Sequence, residues 1–116
     1  MFNAPTQRRI RIFVASAAPP VKFPNVYGVD MPTRKELIAH DMKVEEIEQA
    51  LGVDKIFYQT LEATITAAKE GNPNIKDFDC SCFDGTYVTG DIDDAYIEAL
   101  ENSKRVKDRT LPLIGL

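Results

Sequence analysis

Ile10-Arg11-Ile12-Phe13-Val14-Ala15-Ser16-Ala17-Ala18-Pro19-Pro20, followed by Phe23-Pro24-Asn25-Val26-Tyr27-Gly28-Val29-Asp30-Met31-Pro32, is the stretch that decides the fold. Its first part is a short apolar run, alternating with Arg9 and Arg11 at its start, and reads as a strand entering a buried sheet. The rest is apolar too, but it is punctuated by Pro19, Pro20, Pro24 and Pro32. Each proline locks φ, removes a backbone donor and pushes its predecessor toward extended geometry, so the segment is rigid without being helix or ladder. Such a segment either lines something or is a well-packed connector from strand to helix.

Working outward, Thr33-Arg34-Lys35-Glu36 has the spacing of a capping box, which predicts a short helix carrying Leu37 and Ile38. His40, the sole histidine, falls at its end, where helix capping is the plainer role than catalysis. A second helix is predicted from about Lys43 to Leu51, with Val44, Ile47 and Leu51 on one stripe and Gly52 as its stop. Lys55 to Gln59 reads as a second strand, and Thr60 caps a third helix whose Leu61, Ile65 and Ala68 share a face before Gly71. Residues 72–90 read as loop, tacked down by Phe78, Phe83, Tyr87 and Val88. Asp91 is the expected cap of a last helix, with Asp93 and Asp94 in its first turn and Ile92, Tyr96, Ala99 and Leu100 as its apolar positions.

Strand, helices, strand, helix is the order of a parallel crossover unit. Parallel strands occur with both faces covered and several neighbours, yet only two strands are readable here, and residues 12–15 read as a central strand. The sequence therefore implies part of a larger α/β domain, or a sheet completed by a partner.

Composition narrows the classes. The 116 residues allow one domain at most, and 44% apolar with 28% charged is ordinary for a soluble protein. A net charge of −4, with Arg8, Arg9 and Arg11 as the only basic cluster, speaks against a nucleic-acid partner. No apolar run approaches the roughly 20 residues of a membrane span and no signal-peptide stretch is visible, so the expectation is no membrane and a cytoplasmic location. Cys80 and Cys82 lie one residue apart, a poor disulfide spacing that fits a reducing compartment. No zinc, Walker, calcium-loop or dinucleotide motif occurs.

The stretch from Val14 to His40, with Tyr27-Gly28-Val29-Asp30-Met31-Pro32 followed by Glu36-Leu37-Ile38-Ala39-His40, resembles the amidophosphoribosyltransferases (glutamine phosphoribosylpyrophosphate amidotransferases). Val44-Glu45-Glu46-Ile47, Ile56 to Glu62, Asn72-Pro73-Asn74-Ile75 and Cys82 to Asp91 are similar to further blocks of that family in the same order, so the resemblance runs from about Arg9 to Leu100. It implies the C-terminal segment of a type I phosphoribosyltransferase-like parallel sheet with flanking helices and a helical C-terminal extension. The organisation expected is a leader at 1–8, the C-terminal part of the phosphoribosyltransferase-like α/β domain at 9–71, a loop and C-terminal helix at 72–106, and a tail at 107–116.

The family's reaction makes 5-phosphoribosylamine from phosphoribosylpyrophosphate and glutamine, the first step of purine biosynthesis, with Mg2+ bound through the substrate's pyrophosphate. Its phosphate-cradling loop, an apolar strand ending in paired acids and then Gly-Thr-Thr, is missing here; Asp93-Asp94 follows no apolar strand and suits helix capping. No cysteine before Cys80 could serve as the glutaminase nucleophile, so this chain alone is expected to be inactive and no catalytic residue is assigned. Some members carry an iron–sulfur cluster on four cysteines, but only Cys82 falls on that pattern, with Asp79 at another ligand's place, so no cluster is expected.

What the resemblance leaves is a wall. In the family this segment lies beside the nucleotide site and the passage that carries ammonia between active sites. Carried over, Tyr27, Asp30 and Pro32 are wall candidates for the nucleotide site, and Met31 and Leu37 are candidates for the ammonia-channel lining, where a dry apolar surface keeps the amine unprotonated. For each, plain core packing is the competing reading. The implied partners are the remainder of the parent enzyme or a homo-oligomer partner, and purine nucleotides. The alternative is a non-catalytic, stand-alone module that binds a purine nucleotide or a partner subunit.

Overall fold

In the computed structural model, which describes residues 9–110, β1 (Phe13–Ala15) leads through a single 3₁₀ turn (Arg34–Glu36) to α1 (Val44–Leu51) and β2 (Lys55–Phe57). α2 (Leu61–Glu70), a short α3 (Ser81–Asp84) and α4 (Asp94–Thr110) follow. The leader at 1–8 and the end of the tail, 111–116, lie outside the described residues. β1 and β2 pair in parallel, with Val14 opposite Ile56, so the chain is α/β with a two-stranded parallel sheet and the expected crossover is present. No helix among the described residues is long and apolar enough to cross a membrane.

The chain divides into two units that do not follow chain order: residues 9–20 with 41–76, and residues 21–40 with 77–110. The first holds both strands, α1 and α2. Its strands are shorter than the sequence suggested because side chains and caps end the ladder early. The Asp54 carboxylate takes the Ile12 amide at 2.8 Å, where a neighbouring carbonyl would sit, and also receives Arg9 Nη2 at 2.9 Å. The pairing ends where the Ser16 amide donates to the Phe57 carbonyl at 2.8 Å, and Thr60 then begins α2 by accepting the Ala63 amide at 3.1 Å.

α1 opens on Lys43, whose amide donates to Glu46 Oε2 at 2.7 Å, and stops at Gly52 in the left-handed conformation, φ 68°. It packs on β2, and Ile47 and Ile56 form the buried centre of this unit. Leu51, expected on the same buried stripe, is 51% exposed: it is the last helical residue, beyond the end of the three-residue strand that α1 covers. Glu48 Oε1 accepts the Ile56 amide at 2.9 Å and lies 3.3 Å from Lys55 Nζ. That amide points away from β1, so Glu48 occupies the outer edge of β2. The sheet face bearing Phe13 and Phe57 is bare, at 61% and 56% exposure.

Outside α4, the second unit has little regular structure. The proline-rich segment is held to the region after Asp77 by main-chain bonds from Lys22 and Phe23 amides to the Cys82 carbonyl and by the Tyr87 hydroxyl, which donates to the Pro24 carbonyl at 2.8 Å. α3 lies inside the segment read as loop; one turn of helix is too short to leave a periodic signature. Its end, Gly85, has φ 74°, and a Cβ there would stand 3.0 Å from Phe23 Cζ, so glycine is required twice over. α4 is capped by Asp93, whose Oδ1 accepts the Tyr96 amide at 2.8 Å, rather than by Asp91. Among the described side chains of α4 the buried apolar one is Ile97, one position from the expected Tyr96, which is exposed. Ala39, Tyr87 and Ile97 form the apolar core of this unit, with Ser81 and Glu101 buried beside them, whereas Val88, an expected anchor, faces solvent.

Candidate functional site

The candidate wall residues lie in one unit, and Asn25 organises them. Its side-chain oxygen accepts the Tyr27 amide at 2.8 Å and the Val29 amide at 3.3 Å, an Asx-type turn that carries the chain through Gly28 at φ 114°. The Asn25 amide in turn meets Met31 Sδ at 3.3 Å. Residues 25–31 thus close a small loop on themselves.

Tyr27 is half-exposed, but its hydroxyl is fixed. It lies 2.9 Å from Thr89 Oγ1 and accepts the Thr89 amide at 3.2 Å, and the ring stands edge-on to Tyr87 at 6.3 Å. Met31 is half-buried, with Cys82 Sγ 3.7 Å from its sulfur. Asp30 points to solvent, its side chain 96% exposed, and Lys104 Nζ reaches it at 3.0 Å. Pro32 is exposed. Leu37 is half-buried just after the 3₁₀ turn, with its amide donating to the Arg34 carbonyl at 3.1 Å and its carbonyl accepting the His40 amide at 3.0 Å. The predicted capping box precedes it: Thr33 donates through both amide and hydroxyl to Glu36 Oε2 at 2.8 Å each. Those bonds hold the Glu36 carboxyl below its usual range.

The predicted helix is only that one turn, and His40 lies in the turn after it, where Nδ1 stands 2.7 Å from the Lys22 carbonyl and the ring meets Phe23 edge-on.

Two residues of α4 hold this loop, and sequence reasoning singled out neither. Glu101 Oε1 accepts the Arg34 amide at 2.7 Å and Arg34 Nε at 3.3 Å, with Oε2 3.4 Å from Nη2. Arg34 Nη1 also reaches Asp94 at 3.2 Å. Burial alone would lift the Glu101 carboxyl; the Arg34 amide and guanidinium outweigh it and hold the group low. Burial likewise works against the Arg34 charge, and the Glu101 hydrogen bond and charge outweigh it, so the guanidinium sits above its ordinary value. Lys104 Nζ donates to the Met31 carbonyl at 2.6 Å. An open cleft of about 220 Å³ lies alongside, lined by Arg34, Lys35, Glu98, Glu101, Asn102 and Arg105, with both signs of charge.

Burial pushes the Cys80 and Cys82 thiols up, opposite to the shift of a reactive thiolate. Among the described residues no group of three His, Cys, Asp or Glu could hold a metal ion. The arrangement offers a fixed, mixed apolar and polar surface.

No protein-family model matches the chain. Curated relatives do. It is 48% identical over 107 residues to the amidophosphoribosyltransferase of Pasteurella multocida, covering 86% of the chain and 21% of that protein. To the Escherichia coli amidophosphoribosyltransferase it is 48% identical over 91 residues, 78% of the chain and 18% of the relative. The Saccharomyces cerevisiae amidophosphoribosyltransferase gives 36% over 94 residues, 81% and 18%. The chain therefore spans about a fifth of the length of the curated relatives it matches.

Proposed function

We propose, from the premise that this chain matches a segment of the amidophosphoribosyltransferases, that it is the C-terminal part of a type I phosphoribosyltransferase-like domain and that residues 27–37 wall its nucleotide site and ammonia passage. The observation that carries this reading is the identity at 48% over 78–86% of the chain. The whole enzyme would displace pyrophosphate from phosphoribosylpyrophosphate with ammonia taken from glutamine, giving 5-phosphoribosylamine and glutamate, and so begin purine biosynthesis. Magnesium would enter with the substrate's pyrophosphate.

Within that reading the chain's residues exclude water and orient a ligand. Half-buried Met31 and Leu37 supply dry surface, which favours neutral ammonia over ammonium. Tyr27, pinned through Thr89, presents one ring face, and Asp30 and Pro32 shape the rim beside it. The bare face at Phe13 and Phe57 supports the incomplete-sheet expectation: parallel strands are covered on both sides, and α1 packs on β2. Phe13 and Ala15 alternate toward the outer edge of β1, where a further strand of the parent protein would add, while Glu48 blocks the edge of β2.

The test is a chimera in which this chain replaces the matching segment of the Escherichia coli relative. Glutamine-dependent and ammonia-dependent formation of 5-phosphoribosylamine are both expected to persist. Leu37→Asp in that chimera should lower the glutamine-dependent rate more than the ammonia-dependent one, because only the first needs a dry passage. A folded chimera with neither activity overturns the reading. If the chain alone then binds a purine monophosphate, the stand-alone module takes its place.

A further inference from the structure

We infer that Glu101 and Lys104 of α4 are positioning residues, a two-point clamp that sets the place of residues 30–34 and hence of the wall. That these residues form a wall rests on the proposed function; the clamp does not. Asp94, Ile97, Glu101 and Lys104 are spaced by three, four and three residues, so they line one face of α4. Ile97 buries that face against the unit's core. The three charged residues all engage residues 30–34, and they do so at both ends of the Pro32-Thr33 step.

The two grips differ in kind. Glu101 is buried, and it binds the Arg34 main chain as well as the guanidinium, so it fixes the backbone and not only a side chain. Lys104 bonds the Met31 carbonyl at 2.6 Å and Asp30 at 3.0 Å. The Asp30 carboxylate is almost wholly in water, where an ion pair adds little, so the carbonyl bond is the one that positions the loop. Met31 is thereby held by three contacts at two atoms: its carbonyl by Lys104, and its sulfur by the Asn25 amide and Cys82. A sliding of α4 by one turn would break both grips together, since Glu101 and Lys104 meet residues 34 and 31 in one register only.

The experiment is methionine-methyl and amide NMR on the full 116-residue chain, with Met31 as reporter and Met42 as internal control. Lys104→Ala should shift or broaden the Met31 methyl signal and leave Met42 unchanged. Lys104→Arg, which keeps a donor, should restore it, whereas Asp30→Ala should leave it where it is. Glu101→Ala should raise amide exchange at residues 33–37 about tenfold, with Glu101→Gln between it and the parent. If Glu101→Ala disturbs the whole unit, the Lys104 series still decides. A Met31 signal indifferent to Lys104→Ala, or one that moves equally with Asp30→Ala, overturns the clamp. A Met31 signal that moves while the chimera's glutamine-to-ammonia rate ratio stays fixed supports the clamp and overturns the wall.

Discussion

The unit of residues 9–20 and 41–76 is built from hydrogen-bonded repeats, while the unit of residues 21–40 and 77–110, its one long helix apart, is built from particular side chains gripping particular backbone atoms. In the first, helix and ladder satisfy the main chain, and two isoleucines, Ile47 and Ile56, make the buried centre. In the second, Asn25, Tyr87, Asp93, Glu101 and Lys104 do that work one bond at a time. The difference teaches where each is vulnerable. Regular structure tolerates exchange of most side chains but needs its apolar faces covered; the irregular unit loses its shape when single polar groups are removed.

The comparison is broken most strongly at Ile47. Ile47→Ala leaves a cavity in a centre of two residues and should cost about 3 kcal/mol, enough to unfold that unit, whereas Leu51→Ala on the same helix should cost well under about 1 kcal/mol. Urea titration followed by amide signals of each unit reads both. Equal losses for the two would show that α1 is not anchored on β2.

Next come the glycines. Gly85→Ala combines a positive φ with a Cβ driven against Phe23, so about 2 kcal/mol is expected; Gly52→Ala, with the same φ sign but open space, should cost about 1 kcal/mol. Thermal unfolding of the two variants separates backbone strain from contact. The smallest effect is protonation. Glu48 and Glu101 each receive a backbone amide and sit below the ordinary carboxyl value of 4.5, Glu48 chiefly through the Ile56 amide, Glu101 through Arg34 against the pull of burial. Because the folded-state value is the lower one, their stabilisation is present above about pH 4.5 and is lost as pH falls through the folded value. An acid titration of the Ile56 and Arg34 amides should show both released, and Glu48→Gln should flatten only the first.

What could be read from the sequence follows the same division. Gly52 as a stop, Thr60 as a cap, the Thr33–Glu36 box and the parallel crossover are local chemistry, settled within four residues or by the order of elements. The strand lengths were not legible, since the Asp54 carboxylate ends the ladder from 42 residues away. Nor was the clamp: an acid and a base three apart on a helix are usually a solvated face, and nothing in that spacing names Arg34 or Met31 as partners. The candidate wall residues rest on family likeness, and the polar groups that hold their loop, Asn25, Thr89, Glu101 and Lys104, had no such signal. Side chain to backbone bonds of long range carry no periodicity to read.

The 67 residues that separate Arg34 from Glu101 set an order of events during synthesis. At 5–20 residues per second a ribosome takes roughly 3 to 13 s to make that interval, very long against the microseconds in which helices and hairpins close. Residues 21–40 therefore wait for their helix while the two strands already have each other. Pro24 and Pro32 matter most in that interval: each fixes its own φ and restricts its predecessor, so the chain has fewer wrong shapes to wander into before its partner leaves the exit tunnel.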